Sequence, residues 1–382
     1  MNTAIIAEYN PFHNGHRLNI ERAREITKCD NIIVIMSGNF VQRGEPAIFD
    51  KHTRARHALL NGADMVLELP SVYATGAADV FANGAVEILN KTNIADALFF
   101  GSEAGETDSL EKIAEIYANE SEEYKNILSE YAKKGHSYPA AREKAVSSLL
   151  GLDISDINTP NNILGIEYIT ALKRTGSKMA PYTMKREQSS HNDEVLAGEI
   201  SSGAAVRLAI RSGKIPFEAL PENTRADFEN MVYPLLDDYS DIFRYIAVSA
   251  DKEELALIAD MTEGLENRFI KYIGLDSITS MIESVKTKRY TYTKLQRAVL
   301  HTLLGIKKSM QCEKPRYIRV LGIKKDKKHL LNELGKNAAL PVVTSVKENE
   351  QLLKNEIKAT NIYDLFGSKK TGTEYTAGIV VV

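Results

Sequence analysis

Four short apolar runs, at residues 4–7, 32–36, 64–69 and 96–102, constrain this chain more than any other feature, because helically spaced stretches separate them. Runs this short, closed by residues such as Asn10-Pro11 and Pro70, read as fully buried strands. Residues 15–27 carry Arg17, Glu21, Arg22, Arg24 and Glu25, with Leu18, Ala23 and Ile26 between them, as expected of a helix with one face on a sheet. Residues 53–61 and 76–89 repeat that pattern. Strands alternating with helices imply βαβ units, and hence a doubly wound, parallel α/β sheet. Right-handed crossovers put the first strand near the middle and ligands at the carboxyl ends of the strands. Further on, 109–150 is polar and helical, 163–172 is helical after Thr159-Pro160-Asn161-Asn162, 179–186 reads as a fifth strand, and 201–210 as another helix.

A length of 382 residues favours two domains. The Gly213-Lys214-Ile215-Pro216 turn suggests a division into an α/β domain, 1–215, and a second region, 216–382. In the latter, 217–312 reads as all helical. A small α/β part follows, with strands at 317–323 and 340–346 and helices at 327–334 and 346–358. Two cysteines, Cys29 and Cys312, stand far apart, which argues against a disulfide framework. No apolar run reaches the roughly 18 residues of a membrane span, and residues 1–9 run into a strand rather than a signal peptide. A cytoplasmic protein is expected.

The first run delivers the chain into Asn10-Pro11-Phe12-His13-Asn14-Gly15-His16, and a helix follows at once. At such a turn the helix dipole and free backbone N–H groups favour an anion such as phosphate. Gly15 allows a ligand close to the backbone, and His13 and His16, three residues apart, can face one point. Two imidazole donors suit the charge that grows on phosphorus during adenylyl transfer, acting by position and electrostatics rather than covalent attack. A surface histidine pair is the plainer account of so short a pattern; the placement after the first buried strand favours the nucleotide. His-x-x-His also occurs in zinc sites, but no third Cys or His cluster stands nearby, so no metal site is expected. The polar loop 37–46 follows the second strand. Its Gln42, Arg43 and Glu45 could close over a substrate or simply form surface.

The segments EYNPFHNGH, MSGNFVQRGEPAIFDKHTRARHAL, DMVLELP, FFGSEAG, PNNILGIEYI and RYTYTKLQRAVLHTLLGI together resemble the tRNA(Met) cytidine acetate ligase family, in the family's order and over most of the chain. The resemblance implies a Rossmann-like, His-x-Gly-His nucleotidyltransferase fold for residues 1–215. It implies a ligase that activates acetate with ATP as acetyl-adenylate and acetylates N4 of the wobble cytidine of elongator tRNA(Met), giving N4-acetylcytidine. ATP is the implied co-substrate, and Mg2+ is admitted with it although no residue pattern calls for the ion. The implied catalytic residues are His13 and His16. The implied ATP contacts are Ile6, Ala7, Glu8, Tyr9, Asn10, Pro11, Phe12, His13, Asn14, Gly15, His16, Arg17, Leu18 and Asn19, then Gly101, one of Asn161 and Asn162, and Arg186. One departure stands out: where related nucleotidyltransferases carry Ser-Ser-Thr-x-Ile-Arg, this chain has Ser201-Ser202-Gly203-Ala204-Ala205-Val206-Arg207. Which hydroxyl would serve the phosphates is open.

Between residues 286 and 328 stand 14 lysines and arginines against Glu313 and Asp326, whereas the acid-rich stretch 217–266 brings the whole chain to −3. Lys286, Lys288, Arg289, Lys324, Lys325, Lys327 and Lys328, with tyrosines among them, are the expected RNA contacts in a tRNA-binding 216–382. A solvated charged face is the alternative. Two rival functions remain: a coenzyme- or NAD-type adenylyltransferase, which leaves the basic run unexplained, and a non-catalytic RNA-binding protein, which intact His13, Gly15 and His16 oppose. No protein partner can be inferred.

Overall fold

Apolar residues on both sides of each strand require a sheet covered on both faces, and that is what the computed structural model shows. It describes residues 1–186, 196, 198–229, 231–287, 289–368 and 370–382. The strands are β1 (Asn2–Ala7), β2 (Asn31–Ser37), β3 (Phe40–Val41), β4 (Glu45–Pro46), β5 (Met65–Leu69), β6 (Ala97–Ser102), β7 (Ala180–Lys185), β8 (Ile318–Ile323), β9 (Val342–Val343) and β10 (Val380–Val381). Among the described residues nine helices precede residue 212: α1 (Asn14–Thr27), α2 (Lys51–Leu60), α3 (Ser71–Ala74), α4 (Ala78–Thr92), α5 (Asp108–Asn119), α6 (Glu122–Lys133), α7 (Tyr138–Leu150), α8 (Pro160–Arg174) and α9 (Gly203–Arg211). The sheet order is β10-β8-β5-β2-β1-β6-β7, with β9 beside β8. The expected α/β fold therefore holds, with β1 interior and flanked in parallel by β2 and β6. The chain leaves β1 towards β2 and later returns to its other side with β6, so a crevice opens at their carboxyl ends.

The two-residue periodicity of the strands sorts side chains between the faces. Ile32, Val34 and Met36 pack with Ile20 and Ala23 of α1 and Ala55, Ala58 and Leu59 of α2. Ile33 and Ile35 point the other way, into the core that holds Phe81 and Ala85 of α4 and Ile166 and Ile169 of α8.

The sheet crosses the boundary expected at 213–216. β8 lies antiparallel against β5, Met65 opposite Ile323 and Glu68 opposite Arg319, so an otherwise parallel sheet becomes mixed. Leu295, Val299 and Leu303 of the helix Tyr292–Leu304 join the same core as α4 and α8. Residues 216–382 are therefore not a separate core. The strand expected at 340–346 shortens to β9, the helix expected at 346–358 becomes Glu350–Asp364, and β10 carried no signal beyond a few terminal valines.

A buried ion cluster locks the C-terminal segments onto the sheet near its carboxyl ends. Lys51 Nζ lies 2.7 Å from Glu68 Oε1 and 2.8 Å from Glu374 Oε1. Arg319 reaches Glu68 Oε2 at 2.8 Å and also binds Glu374. Glu356 accepts from the backbone and hydroxyl of Ser71 at 3.1 and 3.0 Å. Three carboxylates thus face two cations. Burial, then the charge of Glu68, push the Glu356 carboxyl up to about 7. Glu374, held by Lys51 and Arg319 against the cost of its burial, is lowered to about 2. The two act oppositely on stability. Glu374 contributes stability that is present above the ordinary value of 4.5 and lost as pH falls towards 2. With Glu356, stability is highest below 4.5 and declines as pH rises to about 7. Glu356→Gln, which keeps an acceptor for Ser71, is expected to flatten that decline and raise stability at pH 8 by about 1–3 kcal/mol. Denaturant melts of both proteins from pH 5 to 8 check this; parallel curves would refute it.

Candidate active site

The turn after β1 is set by its own polar groups. His13 is the N-cap of α1, and its Nδ1 accepts from the backbone N–H of Gly15 at 3.1 Å. Reciprocally, His16 Nδ1 accepts from the backbone N–H of His13 at 3.3 Å. The rings stack with centroids 3.7 Å apart. Because each Nδ1 already accepts a hydrogen bond, the hydrogen of each neutral ring resides on Nε2, free to be donated. Burial, then the positive charge of Arg186 and Arg207, lower the His13 pKa to about 3. Burial, then His13 and the same two arginines, hold His16 well below the ordinary histidine value. Both rings are therefore neutral donors at a helix N-terminus, where an anion is favoured.

Around this pair the later motifs converge. A Cβ on Gly203, the first residue of α9, would lie 3.4 Å from His13 Nε2 and 3.2 Å from Arg207 Nη1, so this glycine keeps the space before His13 open. A Cβ on Gly101 would lie 3.1 Å from Arg186 Cγ and 3.7 Å from Asn19 Nδ2, which places Gly101, Arg186 and Asn19 together beside α1. The Nε of Arg186 is buried and has no partner among the described residues. Ser202 caps α9, accepting from Ala205 N at 3.0 Å, so one of the two hydroxyls left open by the sequence serves the helix. Residues 187–195 and 197, which join β7 to this serine turn, lie outside the described residues.

Other residues of the stretch 6–19 build the turn rather than line it. Phe12 and Tyr9 are buried and pack edge-on, 4.8 Å apart, with Tyr9 also against His16. Asn10 accepts from Ile48 N at 2.8 Å, and its peptide bond to Pro11 is cis. Asn14 Nδ2 donates to the carbonyls of Glu199 and Glu218. Arg17 is exposed and pairs with Glu21 at 3.7 Å. Asn162, buried, accepts from the backbone of Glu103 and Ala104 at 2.9 and 3.0 Å, while Asn161 Nδ2 donates to Glu103 Oε1 at 2.6 Å. Both asparagines thus brace the turn just beyond Gly101.

Two supports escaped the sequence. Fully buried Arg54 of α2 donates to the carbonyls of Glu8 at 2.6 Å, Ser37 at 3.1 Å and Phe49 at 2.9 Å, and to that of Gly38. It ties the carboxyl ends of β1 and β2 together. The sequence offers only a positive charge within the helical stretch 53–61, with nothing to mark it as buried. Glu103 is the second; it also accepts from Thr159 Oγ1 at 2.7 Å. The loop 37–46 is a β3–β4 hairpin packed on the helix Tyr292–Leu304. At φ +82°, Gly44 sits so close that a Cβ would fall 2.5 Å from Arg297 N. Glu45 is spoken for by Arg207 at 3.5 Å and Arg211 at 2.7 Å. Gln42 N donates to Glu8 Oε1 at 2.7 Å, and Arg43 is exposed.

The basic run does not form one surface. Arg319 is in the buried cluster, and Arg297 pairs with Asp260 at 2.8 Å. Lys324 lies 3.6 Å from Asp64, and Lys327 donates to Asn31 at 2.8 Å. These partners stand at the amino ends of β5 and β2, so Lys324, Lys325, Lys327 and Lys328 lie at the edge of the sheet opposite the histidines. Arg289 pairs with Glu263 at 2.7 Å, Lys286 lies over the ring of Tyr292, and Lys288 is outside the described residues. The histidine geometry is directly measurable: ring 15N shifts of His13 and His16 are expected to stay those of neutral, Nε2-protonated imidazole from pH 8 down to 5. A titration near the ordinary value of 6.5 in either ring would refute the assignment.

The likenesses of the chain identify its family. The HIGH Nucleotidyl Transferase family profile matches residues 1–377. The tRNA(Met) cytidine acetate ligase of Clostridium perfringens is 39% identical over 398 residues, covering 99% of both chains. That of Caldicellulosiruptor saccharolyticus is 42% identical over 376 residues, covering 94% of this chain and 93% of its own. Thermotoga maritima TmcAL in an apo crystal form superimposes with a TM-score of 0.93 at 32% identity, covering 100% of this chain and 99% of that one. Its structure bound with alpha-thio ATP gives 0.90 at 31%, with the same coverage. With likeness at this level running through nearly the whole sequence, the chain belongs to the HIGH nucleotidyl transferase family and, within it, to the tRNA(Met) cytidine acetate ligases.

Proposed function

We propose that this protein joins acetate and ATP to form acetyl-adenylate and pyrophosphate, then transfers the acetyl group to N4 of the wobble cytidine of elongator tRNA(Met). The observation that carries the first half is the pair of neutral Nε2–H donors at the start of α1, with Arg186 and Arg207 beside them. Donors held in place before reaction stabilise charge that grows on the α-phosphate and its leaving group without reorganising. Ile6, Ala7, Pro11 and Leu18 would shape the pocket, and Gly15, Gly101 and Gly203 would let ATP approach the backbone. Support for the second half comes from the relatives, whose names specify acetate, cytidine and tRNA(Met). Mg2+ would arrive with the ATP phosphates, since no group of three or more His, Cys, Asp or Glu among the described residues is arranged to hold a metal. A cytoplasmic location belongs to the same reading; no helix among the described residues is long and apolar enough to cross a membrane.

Exchange of labelled pyrophosphate into ATP is expected to require acetate and to need no tRNA. His13→Ala should slow it by about 100-fold or more while changing ATP affinity far less, because the lost donor acts on developing charge. Exchange that ignores acetate but responds to a phosphorylated pantetheine or nicotinamide nucleotide would favour a coenzyme-type adenylyltransferase.

In this reading tRNA phosphates reach the lysines at the far edge as outlying contacts. Lys325 and Lys328 are exposed, whereas Lys324 and Lys327 already hold the sheet edge. Reversing Lys325 and Lys328 to glutamate is expected to reduce the salt slope of log K for tRNA by about 0.7–0.9 per lost contact. Unchanged affinity and slope across a salt series would make them a solvated face.

A further inference from the structure

Glu8, the residue just past β1, is set apart from the other carboxylates around the histidine turn by having an uncommitted oxygen. Its Oε1 accepts from Gln42 N at 2.7 Å, and among the described residues its Oε2 receives no hydrogen bond. The side chain is partly open to solvent, and its backbone carbonyl is held by Arg54 at 2.6 Å, so it is both reachable and fixed. Its neighbours are otherwise engaged. Glu45 is clamped by Arg207 and Arg211, and Glu103 is held by Thr159, Asn161 and the backbone of Asn162. Asp50 caps α2, and Glu68, Glu356 and Glu374 are sealed in the buried cluster. Glu199 is exposed, with its backbone carbonyl accepting from Asn14 Nδ2.

Resting on acetyl transfer to a cytidine as proposed above, we infer that Glu8 receives the exocyclic amino group of the cytosine and takes its proton. A carboxylate is the side chain that accepts from cytosine N4. N4 attacks the acyl carbon, the N–C bond forms, and the acyl C–O bond to AMP breaks with its electron pair leaving on AMP. The N4 proton passes to Glu8 Oε2 and then to solvent. The surroundings suit a base working near neutrality: burial raises the Glu8 pKa, and the backbone of Gln42 with the charges of Arg207 and Arg43 only partly oppose that, while Glu45 adds to it. Arg54 and Tyr168 also face it, from α2 and α8.

The test compares the two half-reactions in Glu8→Gln: acetate-dependent pyrophosphate exchange, and single-turnover transfer from prepared acetyl-adenylate to an unmodified tRNA(Met) transcript. Transfer is expected to fall by about 100-fold more than exchange, within the range that a positioned base contributes. The wild-type transfer rate should rise with pH through a raised carboxylate value, and Glu8→Gln should lack that limb. Glu8→Asp, which keeps the carboxylate but withdraws it, should restore part of the rate and the limb, and it serves alone if the glutamine variant does not fold. Equal losses in both half-reactions, or an unaltered transfer pH profile, would overturn the role. If the wild-type protein shows no acetate-dependent exchange, the acetylation reading itself fails, and the assignment of Glu8 fails with it.

Discussion

One buried guanidinium carries the geometry of this site. Arg54 is fully buried, and four carbonyl oxygens, from Glu8, Ser37, Gly38 and Phe49, accept its hydrogens. Three of those carbonyls belong to chain leaving β1 and β2, where strand hydrogen bonding ends and backbone acceptors would otherwise be buried without donors, and the fourth, that of Phe49, belongs to the turn entering α2. An unpaired buried acceptor costs about 1–3 kcal/mol, so a single side chain that satisfies four of them sets the course of both loops. Everything that follows β1, including the histidine turn, leaves from a fixed point.

From that point the chemistry depends on proton placement rather than on charge. A histidine exposed to water would be cationic or neutral near pH 7, with the hydrogen on either nitrogen. Here two backbone N–H groups claim the Nδ1 atoms, and burial beside two arginines excludes the cation. In the proposed reaction the positive charge that a polyphosphate needs would come from Arg186 and Arg207, with the imidazoles supplying direction and the guanidiniums field.

The hairpin and the C-terminal segments are bound into this arrangement instead of being appended to it. Arg207 donates to the carbonyl of Asn10 at 2.8 Å and approaches Glu45 of the hairpin, so α9, the first loop and the second loop share one side chain. Glu68, Arg319 and Glu374, from three distant parts of the sequence, meet around Lys51 with less than a twentieth of any side chain exposed. Breaking one partner of such a cluster leaves a buried charge uncompensated, typically worth about 3–5 kcal/mol. That is why the region after residue 216 cannot be treated as a detachable appendage.

The strands β1, β2, β5, β6 and β7, the interior place of β1, the helix that follows at once, and the histidine–glycine turn were legible in the sequence, because each rests on local periodicity or on residues adjacent in the chain. So was the family, whose motifs are contiguous words such as EYNPFHNGH. What the sequence could not reveal depends on residues far apart: β8 entering the sheet antiparallel beside β5, Arg54 ending two strands, and Asn161 and Asn162 bracing the turn beyond Gly101. The basic run shows the difference most sharply. Charge summed along 43 residues looks like one patch, yet the chain passes through a buried strand between its parts. Tertiary structure sends Arg319 into the core and Lys324–Lys328 to the edge opposite the histidines. Local propensity and spacing act over a few residues, whereas burial and ion pairing are settled only when distant segments meet.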